Sequence, residues 1–195
     1  MRYHVSERIT DSLVEAGAVA TDDRALYEYG IRLGILMVIN IATGLVIGLL
    51  LGMFLQSMIF LIVYKYVRSY AGGYHANNQL TCYLLSIPVM FAVLYGIRYI
   101  PWNDNVLFIV LITAAMVLFF IDAGEDKNKP LDDLEKVVYK KRARVYTATF
   151  SGIAVMLWFA GMQQSALSVA MALGVSAIML VLGALKNRRL NVEKA

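Results

Sequence analysis

Six long apolar runs, separated by short stretches that gather nearly all the charge, constrain this chain more than any other feature. They cover residues 29–51, 54–67, 80–100, 106–121, 146–162 and 166–185. A hydrocarbon core about 30 Å thick is crossed by about 20 helical residues, so each run approaches the length of a membrane span. The run at 54–67 is the shortest, and tilting or re-entry would accommodate it. Of the 195 residues, 59% are hydrophobic and 16% charged, and the mean hydropathy is +0.63. This excludes an ordinary soluble domain. The expectation is an all-α polytopic membrane protein forming a single domain over 1–195, with about six transmembrane or membrane-embedded helices.

Residues 1–28 carry six acidic and three basic groups and no continuous apolar core, so they do not read as a signal peptide. Val5, Ile9, Leu13 and Ala16 recur at helical spacing between Ser6, Glu7, Asp11 and Ser12. That pattern predicts a short amphipathic helix at the interface or against the bundle, its negative charge favouring protein over lipid. Thr21-Asp22-Asp23 supplies an N-cap and acidic first turn for the next segment.

With six spans, the N-terminal segment, the 65–79 loop, the 122–145 loop and the C-terminal tail share one side. With Arg32 and Lys65 assigned to their nearest end, they carry four, two, seven and four basic residues, which is seventeen of the eighteen; Arg98 alone lies near the other side. The positive-inside rule then predicts a multi-pass protein with both termini, and the stretch from His75 to Cys82, at the cytoplasmic face. Topology accounts for the formal charge of +4, so no nucleic-acid partner is expected. The 122–145 loop mixes seven basic with six acidic residues and reads as solvated surface, or else as a dock for a charged substrate tail.

Gly44, Gly48 and Gly52 repeat every four residues, with Asn40 on the same face. Small residues at that spacing serve close helix packing, within the bundle or across a homodimer. Ala166, Ala170 and Gly174 form a second such face. Pro88 should disturb the third span. Tyr64, Tyr66, Tyr70, Tyr99, Trp102, Tyr139 and Tyr146 sit near span ends, as an aromatic belt does.

The stretch from Arg68 to Cys82, RSYAGGYHANNQLTC, holds the only cysteine and one of two histidines. Gly72-Gly73 opposes a continuous helix, and Asn77 or Asn78 can cap the helix that follows. Capping by Asn78 leaves Cys82 at the end of a first turn, where the helix N-terminus favours a thiolate. In an unbroken helix the seven-residue separation holds His75 about 10 Å from Cys82, too far to hydrogen-bond. The pair works only if the chain folds back after His75. From the residues alone, either this is a thiolate–imidazolium pair, or His75 is a solvated loop residue and Cys82 an inert core residue. No zinc motif, nucleophile elbow or phosphate loop appears, so neither a metal nor any other cofactor is expected.

Arg68, Gly72-Gly73, His75 and Cys82 between two apolar segments resemble the signature of the accessory gene regulator B (AgrB) family. Asn128-Lys129-Pro130-Leu131 resembles that family's Asn-Lys-Pro-Leu element, although Ala123-Gly124 stands where Ala-Pro is usual. The resemblance implies a membrane cysteine endopeptidase that processes a short amphipathic quorum-sensing propeptide. His75 would be the base and Cys82 the nucleophile, forming a thioester that an internal cysteine or serine of the peptide closes to a thiolactone or lactone. It gives Arg68, Gly72 and Gly73 supporting roles, with Asn77, Asn78 and Ser86 as candidate orienters or oxyanion donors. The competing reading is a non-enzymatic peptide exporter or scaffold; the scarcity of ionisable groups inside the spans weighs against an ion-coupled carrier.

Overall fold

A computed structural model describes residues 4–73, 79–121 and 132–192. These form seven helices and their connections, with no strand among the described residues. The helices are α1 (His4–Glu15), α2 (Arg24–Leu50), α3 (Phe54–Ala71), α4 (Gln79–Tyr99), α5 (Asp104–Phe120), α6 (Asp133–Phe159) and α7 (Gln163–Val192). Each of the six apolar runs falls on one of α2 to α7, as the all-α reading requires. By length and composition alone, Thr21–Leu50, Leu80–Tyr99 and Gln163–Lys186 can cross a membrane, and Asp104–Phe120 is a shorter apolar helix. Helices α3 and α6 are long enough, but they extend into charged sequence, which dilutes their hydropathy.

The chain divides into two units, 1–43 and 44–195. In the first, Thr21–Asp23 is a 3-10 turn leading into α2, preceded by Ala20, whose side chain makes no cap. Arg24 bridges back to Asp11 at 2.7 Å and along its own helix to Glu28 at 3.1 Å. The apolar stripe of α1 is only partly covered, with Leu13 half-buried. Val5 and Ile9 are exposed, whereas Ser6 and Thr10 are buried. The Thr10 hydroxyl donates to the Ser6 carbonyl at 2.8 Å, so this small polar face can be buried at little cost.

The second unit is organised around α7, which packs against α3, α4, α5 and α6, while α6 also contacts α3 and α5. Its Ala166, Ala170, Ala172, Leu173 and Leu180 are almost fully enclosed. A Cβ on Gly174 would stand 3.6 Å from Val110 of α5. The second small-residue face is therefore internal packing.

Gly44 and Gly48 also serve internal packing, against α3. A Cβ on Gly48 would lie 2.3 Å from the Ser57 Cβ, and the Ser57 hydroxyl donates to the Gly44 carbonyl at 2.8 Å. Gly52 does not share that face. It ends α2 with φ +66°, and the Met53 and Gly52 amides bond to the Gly48 and Leu49 carbonyls, the Schellman arrangement that suits glycine. The four-residue rhythm runs past the end of the helix.

Side chains close the other helix ends. The Asn103 side chain accepts the Val106 amide at 3.0 Å at the start of α5, and Glu135 accepts the Asp132 amide at 3.2 Å before α6. Arg144 donates to the Phe119 carbonyl through Nε at 3.1 Å and Nη2 at 3.0 Å, satisfying an orphan acceptor at the end of α5. Residues 133–145, expected as loop, are thus the first half of α6. Pro88 is accommodated inside a continuous α4.

One end of this unit carries the short turns. There Arg98 donates to the Leu51 carbonyl, Trp158 donates to Asp104 at 3.0 Å, and Gln56 meets Gln164 at 3.1 Å. Cys82, sixteen residues back along α4 from Arg98, belongs to the opposite end.

Candidate active site

The candidate site begins with the last turn of α3, which continues past the apolar run because Lys, Tyr, Arg and Ala all tolerate a helix. Arg68 lies one turn beyond Tyr64, and its guanidinium sits 5.6 Å from the Tyr64 ring centre. Arg68 and the Cys82 sulfur both act electrostatically on the Tyr64 hydroxyl. Tyr64, Arg68 and Cys82 therefore share one neighbourhood, although two helices supply them.

Between those helices the chain turns at the paired glycines. The Gly72 amide bonds to the Arg68 carbonyl at 3.0 Å, and Gly72 and Gly73 have φ of 72° and 136°, values that favour glycine. A Cβ on Gly73 would stand 3.0 Å from the Met179 carbonyl oxygen and 3.1 Å from Arg68 Nη1. The turn is thus pressed against the backbone of α7 on one side and the Arg68 guanidinium on the other. His75, Asn77 and Asn78 lie outside the described residues.

Cys82 lies near the described start of α4 and is half-buried. Ser86 is one turn further on, near the same face. Its hydroxyl donates to the Tyr83 carbonyl at 2.7 Å, so its proton serves its own helix.

The same end of α3 is tied to α6 by aromatic contacts. Tyr70 stacks on Tyr146 at 5.3 Å and meets Tyr139 edge-on at 5.6 Å. Arg142 lies 5.3 Å from the Tyr70 ring centre and donates to its hydroxyl at 3.3 Å. These contacts hold α3 and α6 in register where Arg68 is presented.

The family model for accessory gene regulator B matches residues 6–182. The chain belongs to the accessory gene regulator B family. No curated protein and no solved structure matches it. As a family member it is a membrane protein of a group that processes quorum-sensing peptides, and the match spans α1 as well as the helices around α7.

For this AgrB chain, the structure brings Arg68, Gly73 and Cys82 to one end of the bundle. It also adds Tyr64, which the sequence reading had assigned to the aromatic belt. The spacing of Tyr64 and Arg68, four residues apart on one helix face, was the available signal. The Asn128-Lys129-Pro130-Leu131 element lies outside the described residues.

Proposed function

We propose that this AgrB protein is a cysteine endopeptidase that cleaves an amphipathic propeptide at the cytoplasmic face of the membrane. His75 takes the proton of Cys82, and the thiolate attacks a backbone carbonyl of the propeptide. The C–N bond breaks, the C-terminal fragment leaves with the proton held by His75, and the remaining peptide is bound to Cys82 as a thioester. An internal thiol or hydroxyl of that peptide then attacks the thioester, passing its proton to His75; the acyl–sulfur bond to Cys82 breaks, the peptide leaves as a thiolactone or lactone, and His75 returns the proton to the Cys82 thiolate. Exchange between two thiols is nearly balanced, so ring closure competes with hydrolysis where water is kept away.

The supporting observation is the position of Cys82: half-buried on α4, in the electrostatic neighbourhood of Tyr64 beside Arg68, in a chain of this family. Arg68 is suited to hold a substrate carboxylate or the developing oxyanion. The Gly72–Gly73 turn lets substrate backbone approach without a side chain in the way.

Co-expression with a short amphipathic propeptide bearing an internal Cys or Ser and an acidic tail, followed by mass spectrometry, tests the reading. The wild type should yield a shortened peptide, lower by one water when cyclised. Cys82→Ala and His75→Ala should leave the propeptide intact. Cleavage by Cys82→Ala would refute the mechanism. An exporter or scaffold would leave the covalent mass unchanged even with the wild type.

A further inference from the structure

Phe60, Tyr64 and Arg68, each one helical turn beyond the last, form a column along α3. At its base Phe60 is 3% exposed, within the core. The Tyr64 ring stacks on it with centres 5.6 Å apart and planes 10° from parallel. The Arg68 guanidinium lies over that second ring, 5.6 Å from its centre, within the range at which an aromatic face attracts a cation. An aromatic contact and hydrogen bonds at the N–H edge of a guanidinium coexist, so the stack holds whatever else Arg68 pairs with.

The same guanidinium also meets the turn. A Cβ on Gly73 would stand 3.1 Å from Arg68 Nη1 and 3.0 Å from the Met179 carbonyl oxygen, so Arg68 touches both the Tyr64 ring and a turn that itself rests on α7. An arginine at a helix end otherwise samples many rotamers, and fixing one costs side-chain entropy. Here the two contacts restrict it before substrate arrives, as a group that must meet a reacting peptide requires. Tyr66, two residues on, is 45% exposed, as a belt residue is; Tyr64 is instead half-buried against the core. The column ends near the nucleophile, since Arg68 and the Cys82 sulfur both act electrostatically on Tyr64.

From this stacking we infer that Tyr64 is a positioning residue: its ring, seated on Phe60, sets the Arg68 guanidinium at the Gly73 turn for its contact with the peptide. The inference rests on the peptidase reading above and adds a residue to it. The ring face does the holding, so phenylalanine can take the place of Tyr64 and leucine cannot.

Two readouts on the full chain in detergent micelles test this. In protein labelled with nitrogen-15 arginine, the Arg68 Nε–H signal, identified by its loss in Arg68→Lys, should be displaced upfield by the Tyr64 ring. Tyr64→Leu should return it to the ordinary arginine position, and Tyr64→Phe should keep the displacement. In the propeptide assay, Tyr64→Leu should lower kcat/KM by about 10- to 100-fold, the scale of a displacement of up to ~1 Å, and Tyr64→Phe should recover most of that loss. In an Arg68→Ala background the leucine change should cost less than about threefold, because a residue acting through Arg68 has nothing left to position. Cleavage by Tyr64→Leu at the wild-type rate overturns the proposal, as does equal impairment of the phenylalanine and leucine variants, which would mark the hydroxyl. So does an equal cost in both backgrounds, which would mark general packing, or full activity of Arg68→Ala. Absence of the upfield displacement in the wild type overturns it whether or not Tyr64→Leu folds, as judged by helical circular dichroism. Propeptide left uncut by the wild type refutes the peptidase reading instead, and the arginine signal then reports the Tyr64 contact by itself.

Discussion

Replacing Gly73 by alanine probes the link between the turn and α7 most directly. The new Cβ would stand 3.0 Å from the Met179 carbonyl oxygen, 3.1 Å from the Met179 carbonyl carbon and 3.1 Å from Arg68 Nη1. The guanidinium can move, but the α7 backbone is held by packing on four helices. Overpacking of this kind costs about 1–3 kcal/mol. Gly73 also has φ of 136°, and an L side chain there adds a further ~1–3 kcal/mol. Alanine stiffens the unfolded chain and returns about 0.4–1 kcal/mol. The net loss should be roughly 2–4 kcal/mol, a fall in Tm of about 6–12 °C for a chain of this size. Relief of the clash must shift the turn away from α7, and a misplacement near 1 Å in an active site costs on the order of 100-fold in rate. Thermal unfolding in detergent and peptide cleavage should therefore both fall. Gly152→Ala is the control, because no atom lies within 4 Å of its Cβ position in α6, and it should stabilise by up to about 1 kcal/mol. If Gly73→Ala melts within about 1 °C of wild type and cleaves normally, the turn is not pressed onto α7.

Gly48→Ala should lower stability by about 1–3 kcal/mol through its clash with the Ser57 Cβ; thermal unfolding should show rescue by Ser57→Gly but not by Ser57→Ala, which keeps that carbon. Ser57→Ala alone removes the 2.8 Å bond to the Gly44 carbonyl and should cost about 0.5–1.5 kcal/mol in the same assay. Trp158→Phe loses the 3.0 Å bond to Asp104, a bond to a charged group worth about 1.5–3 kcal/mol, and should shift the melting curve accordingly. Thiol labelling of Cys82 in intact cells should require a membrane-permeant reagent, and complete labelling by an impermeant external reagent would refute the cytoplasmic placement.

The helices were legible because apolar runs of bilayer length leave the backbone no other way to satisfy its hydrogen bonds. Their ends were not, because loss of hydropathy is not loss of helix. Lys65 and Arg68 end an apolar run, yet α3 continues to Ala71 and stops only at the glycine pair. The charged residues 133–145 were read as loop for the same reason, although Lys, Arg, Glu and Leu are strong helix formers. Gly52 misled in the opposite sense, because a spacing rule was carried through a position where the helix had already ended. The outward stripe of α1 could not be foreseen, since Val5 and Ile9 show a preference for apolar surroundings without saying whether protein or lipid supplies them. At the candidate site, Arg68, the glycines and Cys82 were legible as a motif. Tyr64 acquires its role only when α3 and α4 come together.

The distribution of burial separates the residues that hold this fold from those that carry its chemistry. In the apolar window of α7, 61% is buried, against 28% in that of α4. Substituting Ala170 or Leu173, which are enclosed on α7, therefore disturbs contacts with several helices together and should lower stability before activity. Cys82 is half-buried on the less enclosed helix, where a substitution removes few packing contacts. The two regions meet at Gly73, which touches the α7 backbone on one side and Arg68 on the other. A rigid central helix can in this way set the position of a turn that leads toward a more accessible sulfur. Such support counts at that end of the bundle, because α4 itself has few neighbours to fix it.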